Sequence, residues 1–324
     1  MLHALCPGRL RPGLFFIVRI GPVRRGGYAR SFIHTIRTLT VFVKDSPLRT
    51  RVAAADGFEL VATVYDVPKS DTLVLVNSAT AVPQTFYRHF AGYLAERGLR
   101  TITFDYRGTG ESRPPSLRGF EALMRDWAEL DMRALLEWAD ETFAPNKLVG
   151  VGHSFGGQAA GMLDNAHRYD GLATMSAQSG YWRIQGGSEP LKVGLAVWVL
   201  IPVLTRLFGF FPWSRLGASE DLPRGVALEW ASWARNPLYL RGDATLPLDR
   251  FDDFKAPVLA YSFDDDNWGR PEAVDAMMSA YPDLERRHVI PSEYGLSALG
   301  HFGYFRPGRE ALWAELVEWV SALP

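Results

Sequence analysis

The sequence predicts an α/β fold: a mostly parallel twisted sheet with helices on both faces and a helical insertion after the sixth strand. Three observations carry that prediction. Short apolar runs alternate with helix-period segments along most of the chain, the signature of strand–helix–strand units. Some of these runs, such as Thr72–Asn77 (TLVLVN), are apolar throughout, as a strand buried on both faces requires. The alternation then lapses once, over residues 181–251, before it resumes.

Taken in order, residues 50–55 and 59–66 are β-prone runs joined at Asp56-Gly57, which reads as a hairpin turn. After the strand Thr72–Asn77, residues 84–97 place Phe86, Phe90 and Leu94 at helical spacing, with Gly98 as the stop. Arg100–Phe104 is the next strand. Residues 120–143 form a second helix, with Trp127, Leu130, Ala134 and Trp138 on one stripe. A strand over 147–152, a helix over 156–166 and a strand over 171–176 follow. Beyond the insertion come a strand at 256–263, a helix at 271–280, a strand at 286–290 and a helix at 307–322. The chain thus divides into a core of residues 48–180 and 252–324 and a cap of residues 181–251.

The first 44 residues stand apart, with eight basic side chains (Arg9, Arg11, Arg19, Arg24, Arg25, Arg30, Arg37, Lys44) and no acidic one. Their one apolar run, residues 14–18, is too short for a signal-peptide core or a membrane span. Residues 1–47 are expected to be a disordered basic extension, with organellar targeting as the alternative. Elsewhere the charges balance: 35 basic against 36 acidic residues give a net charge of −1, and nothing calls for nucleic acid. The single cysteine, Cys6, excludes an internal disulfide and a cysteine metal cluster, and fits the cytoplasm. No metal or organic cofactor is implied.

The chemistry concentrates at Gly152-His153-Ser154-Phe155-Gly156, a G-x-S-x-G that follows a buried strand and opens a helix. Such a turn holds its serine in a strained backbone conformation, so small residues must flank it, and Gly152, Gly156 and Gly157 supply the clearance. Ser154 is the candidate nucleophile. It needs a base, and the base an orienting acid; in a fold of this kind they are expected in the chain order Ser, Asp or Glu, His. His301, in the loop Gly300-His301-Phe302-Gly303 before the last helix, is the candidate base. The acid should follow the strand at 256–263, where Asp264, Asp265 and Asp266 stand in a row; Asp265 is the first choice and Asp266 the second. For the oxyanion, the Phe155 backbone N–H is one donor, and Ala79 or Thr80, in the loop after Asn77, gives the other.

With these residues in place, the chain resembles the α/β-hydrolase superfamily. The run Asp105-Tyr106-Arg107-Gly108-Thr109-Gly110-Glu111-Ser112 looks like its D-x-R-G-x-G-x-S turn after the fourth strand. More narrowly, the chain is similar to the serine aminopeptidase-like and monoacylglycerol-lipase-like branch, and to a group of bacterial hydrolases with Gly-His-Phe-Gly-Tyr-Phe-Arg (300–306) around the base. That resemblance covers about residues 48–324. It departs at the oxyanion loop, where Asn77-Ser78-Ala79 replaces the usual His-Gly.

The insertion holds five of the ten tryptophans: Trp182, Trp198, Trp213, Trp230 and Trp233. Residues 193–205 carry no charge, which suits a buried lid helix or a lid that touches a lipid surface transiently. An apolar roof argues for an apolar acyl or alkyl group beneath it. The expected activity is hydrolysis of such an ester or thioester by a serine hydrolase, a small-molecule ester being the partner. The alternatives are an aminopeptidase or amidase, and a non-catalytic binding protein on the same fold.

Overall fold

The computed structural model describes residues 47–217 and 220–324, so the expected basic extension lies outside the described residues but for Pro47. In chain order the strands are β1 (Leu48–Ala53), β2 (Glu59–Tyr65), β3 (Thr72–Asn77), β4 (Arg100–Phe104), β5 (Lys147–His153), β6 (Gly171–Met175), β7 (Phe210–Phe211), β8 (Leu222–Pro223), β9 (Val258–Phe263) and β10 (Leu284–Val289). Eight of them form one sheet in the order β1-β2-β4-β3-β5-β6-β9-β10, while β7 and β8 pair separately. The hairpin is the antiparallel edge, with Gly57 at φ 83° donating to the Ala54 carbonyl at 2.8 Å. β2 also runs antiparallel to β4, and from β4 to β10 every neighbour is parallel.

The two-residue period of a strand divides the core cleanly. Leu73 and Leu75 of β3 belong to the apolar cluster on one face of the sheet, Val74 and Val76 to the cluster on the other. The second face is covered by α1 (Arg88–Glu96) and, from the C-terminal end, Leu312, Trp313 and Leu316 of a terminal helix, Glu310–Ala322. The first is covered by α2 (residues 124–143) and the short α3 (Phe155–Gln158); two helices between β6 and β9, α4 (Glu189–Phe208) and α5 (Arg224–Arg235), join the same apolar cluster, α5 packing on α2 and on α4.

Two elements differ from expectation for local reasons. α2 begins at Met124, where Asp126 accepts the Leu123 N–H at 2.7 Å and sets the start. A π-turn at Trp127–Met132 then shifts its phase, so Ala128, Asp131 and Met132 are buried where Leu130 is not. The helix after Ser154 gives way to a 3₁₀ turn at Ala159–Met162, well short of residue 166. Gly156, Gly157 and Gly161 weaken helix propensity there, and a Cβ at Gly161 would fall 2.3 Å from the Phe251 ring.

Candidate active site

The carboxyl ends of β3, β5, β6 and β9 open on one side of the sheet, and the loops leaving them bring the candidate residues together. Ser154 stands directly after β5 at φ 50° and ψ −115°, a backbone conformation that L-residues rarely hold. Its surroundings enforce it. The Ser154 N–H donates to the Met175 carbonyl at 2.9 Å, and the Ser154 carbonyl accepts from Gly157 and Gln158 N–H at 3.0 and 3.1 Å. A Cβ at Gly152 would sit 2.4 Å from the Gly157 Cα, and one at Gly156 would sit 2.2 Å from the Asn77 carbonyl oxygen. Only glycine therefore fits on either side of this turn. The Ser154 hydroxyl donates to Gln178 Oε1 at a long 3.5 Å.

The acid beside His301 is Asp266 and not Asp265. His301 Nδ1 and Asp266 Oδ2 are 2.9 Å apart, with both side chains nearly buried. The expectation of Asp265 fails because residues 263–266 close a tight turn, the Asp266 N–H donating to the Phe263 carbonyl at 3.1 Å, which swings the third aspartate back over the sheet edge. Asp265 instead accepts the N–H groups of Leu299 and Gly300 at 2.8 and 2.9 Å, and so holds the loop that carries His301. Asp266 also accepts from the Ser176 hydroxyl at 2.7 Å and the Trp268 N–H at 2.8 Å. Burial pushes its carboxyl up, but His301 and the hydrogen bonds of Gly269 and Ser176 outweigh it, so the group is held at about 2. A carboxylate at Nδ1 accepts that nitrogen's proton, which leaves Nε2 as the basic nitrogen of the neutral ring.

Of the oxyanion candidates, Ala79 is excluded by its own hydrogen bond, its N–H donating to the buried Tyr87 hydroxyl at 2.9 Å. Thr80 lines the cavity described below and Phe155 opens α3, so these two N–H groups remain the candidates. Sequence reasoning missed what Tyr87 connects. Its oxygen lies 2.9 Å from His153 Nδ1, and His153 Nε2 lies 2.8 Å from the His301 carbonyl. A carbonyl can only accept, so Nε2 carries the proton; Nδ1 then accepts from Tyr87, whose oxygen accepts from Ala79. One ordered chain thus joins the loop after β3 to the loop of His301. Burial, with His301 close by, lowers the His153 pKa to about 3 and keeps it neutral. The signal available in sequence was Tyr87 itself, adjacent to Phe86 on a helix whose buried face is centred on Tyr87, Phe90 and Leu94.

Asp105-x-Arg107-Gly-x-Gly-x-Ser112 is structural. Asp105 accepts the Gln84 N–H and side-chain amide at 2.7 and 2.9 Å and the Glu111 N–H at 3.0 Å. Arg107 is paired with the buried Asp131 at 2.7 Å. The turn thereby pins the end of β4 to the start of α1 and to α2.

Ser154 and His301 both line a cavity of about 520 Å³. Its apolar wall includes Val193 of α4, Trp213, Trp230 of α5, Trp268 and Phe302, and its polar side chains include Gln158, Gln178 and Gln185. Arg306 lines it too, and no aspartate or glutamate does among the described residues.

The sequence profile described as "Alpha/beta hydrolase family" matches residues 73–311. Among solved structures, the chain is similar to DcsB in complex with its substrate analogue, with a TM-score of 0.61 at 15% identity over 86% of this chain and 99% of that one. The esterase EaEST from Exiguobacterium antarcticum gives a TM-score of 0.57 at 19% identity, covering 85% of this chain and 100% of that one. A thermophilic esterase from Thermogutta terrifontis gives 0.55 at 19% identity, with coverages of 85% and 99%. No curated relative matches the chain. With most of its length inside the family profile and its sheet in the order found above, the chain belongs to the alpha/beta hydrolase family.

Proposed function

We propose that this protein is a serine hydrolase that cleaves an ester or thioester with an apolar acyl or alkyl group through an acyl-enzyme. The observation that carries the reading is the Asp266–His301 pair lining the same apolar cavity as Ser154, whose backbone is held strained at the end of β5. Ser154 Oγ attacks the carbonyl while His301 Nε2 takes its proton and passes it to the leaving group. Asp266 orients the ring and stabilises its charged form. The Phe155 and Thr80 N–H groups are the donors assigned to the oxyanion. Water activated by the same histidine then releases the acyl group. The esterases among the similar structures support the class of reaction and leave the substrate to be found.

Cleavage of an N-terminal residue would call for an anionic partner to the substrate ammonium. The lining carries none among the described residues, and it holds the cation Arg306 instead, which favours the ester reading.

The test is fluorophosphonate labelling followed by intact mass and peptide mapping. One adduct on Ser154 is expected, absent in Ser154→Ala and slowed by about 10³-fold or more in His301→Ala. Unlabelled protein should turn over nitrophenyl esters and leave aminoacyl anilides intact, and labelling should abolish that turnover. Folded protein that takes no adduct, beside a labelled esterase control, would instead support a binding role on this fold.

A further inference from the structure

α4 presents two apolar faces, and only one of them is used inside the molecule. Val193, Val197, Ile201 and Thr205, four residues apart, are buried against the rest of the fold, and Val193 reaches the cavity wall. The opposite face carries Leu191 (78% exposed), Leu195 (53%), Trp198 (57%), Val199 (47%), Val203 (48%) and Leu207 (65%). One turn after another, large apolar side chains stand in water along a helix that is about 30 Å long. A soluble surface tolerates such residues singly; six on one helical stripe make a contiguous patch that calls for an occupant.

We propose that this face docks on an anionic phospholipid surface, with α4 lying in the plane of the membrane. Charge selects the occupant. The charged side chains exposed on the face are Lys192 and Arg206, both cations. Beside them the Arg235 guanidinium sits 5.0 Å over the Trp198 ring and that of Arg215 5.1 Å over the Phe208 ring, so more positive charge borders the stripe. The carboxylate that opens α4, Glu189, is engaged by Lys192 at 2.7 Å and by the Trp268 indole N–H at 2.6 Å. Leucines facing outward, a tryptophan at the edge and a basic rim are the composition of an interfacial helix. A second copy of the chain fits poorly. Val199 is equidistant in sequence from Lys192 and Arg206, so an antiparallel pairing centred there would set cation against cation. Spanning the bilayer fits no better, although α4 is long and apolar enough by length and composition. It would strip Val197 and Ile201, both fully buried, from the body of the protein.

Docking does not depend on the chemistry at Ser154, and the test is therefore made on full-length Ser154→Ala protein. Sedimentation with vesicles of equimolar phosphatidylglycerol and phosphatidylcholine should pull the protein down, weakening with salt and with phosphatidylcholine alone. In the double variant Leu195→Glu, Trp198→Glu partitioning should fall by about tenfold or more, since charge on that face opposes interfacial burial. Both side chains are exposed, so the melting temperature should hold and report that the variant is folded. Brominated lipid should quench Trp198 fluorescence in a way that Trp198→Phe removes. Binding that survives the double variant would assign the contact to another surface, such as the basic residues of the first 44, and overturn the proposal. So would no binding to either vesicle, or a dimer by light scattering that the double variant dissolves.

Discussion

At the scale of single residues, the less expected chemistry belongs to His153, the residue just before Ser154. It is fully buried, neutral, and wedged between Tyr87 and the carbonyl of His301. Its pKa lies near 3 in the folded protein, far below the ordinary histidine value, because burial penalises the imidazolium and His301 lies beside it. The unfolded chain therefore binds a proton that the folded one refuses. The stability that follows is fully present above the unfolded value of about 6.5, and it drains as pH falls from there toward 3, at up to about 1.4 kcal/mol per pH unit. Asp266 adds a separate loss at lower pH: its depressed carboxyl stabilises the fold above about 4, and that contribution disappears as pH falls toward 2. Melting temperatures measured between pH 7 and pH 4 should fall steeply for the wild type and with a shallower slope for His153→Gln. Equal slopes would mean that His153 gains its proton in the folded state. Tyr87→Phe keeps the ring and removes the oxygen between Ala79 and His153, leaving a buried N–H and an imidazole nitrogen unpaired, at a cost of about 1–3 kcal/mol.

At the scale of elements, the strands were largely legible because a run such as Thr72–Asn77 has no other place to go than the middle of a sheet. The G-x-S-x-G turn was legible for the same kind of reason, since steric crowding around Gly152 and Gly156 forbids other residues. What escaped was offset by one position in a turn or a helix. Asp265 and Asp266 differ in role only through the turn at Phe263, and no periodicity records where such a turn aims its last residue. The π-turn in α2 is equally silent in the sequence, and it moved the buried stripe away from Leu130. Ala79 looked as suitable a donor as Thr80 until Tyr87, eight residues on, claimed its N–H. The aspartate assignment has a direct check in the element it shapes. Asp266→Asn should cut fluorophosphonate labelling by about 10³-fold or more, because it removes the charge that fixes the His301 tautomer. Asp265→Asn leaves that charge in place and weakens only the two N–H bonds that brace residues 299–300, so a loss of about tenfold or less is expected, with a lower melting temperature. If the two variants exchanged their effects, the acid would have to be reassigned to Asp265.

At the scale of the whole molecule, the segment between β6 and β9 does two things with its aromatic residues, and the sequence distinguished neither. Trp213 and Trp230 lie 6.1 Å apart, nearly stacked, and both line the cavity, whereas Trp198 faces solvent from the far side of α4. The roof is thus built of rigid rings with fixed reach, and its volume of about 520 Å³ sets the size of group that fits beneath it. Trp213 is the better ring to remove, being only partly buried, while Trp230 packs into the core. In Trp213→Ala the wall retreats by the volume of an indole. Short acyl esters then lose contact in both ground and transition states, and kcat/KM for them should fall by about 10- to 100-fold, mostly through KM. Longer chains gain room, so the optimum in a series of nitrophenyl esters should move to longer acyl groups. Fluorophosphonate labelling with a small probe should stay within about threefold of wild type, because Ser154, His301 and Asp266 stand on the loops after β5, β10 and β9 and do not lean on Trp213. A chain-length profile that stayed in place while every ester slowed equally would mean that Trp213 closes the cavity against water and that another wall, with Val193 and Phe302 the first to try, measures the substrate.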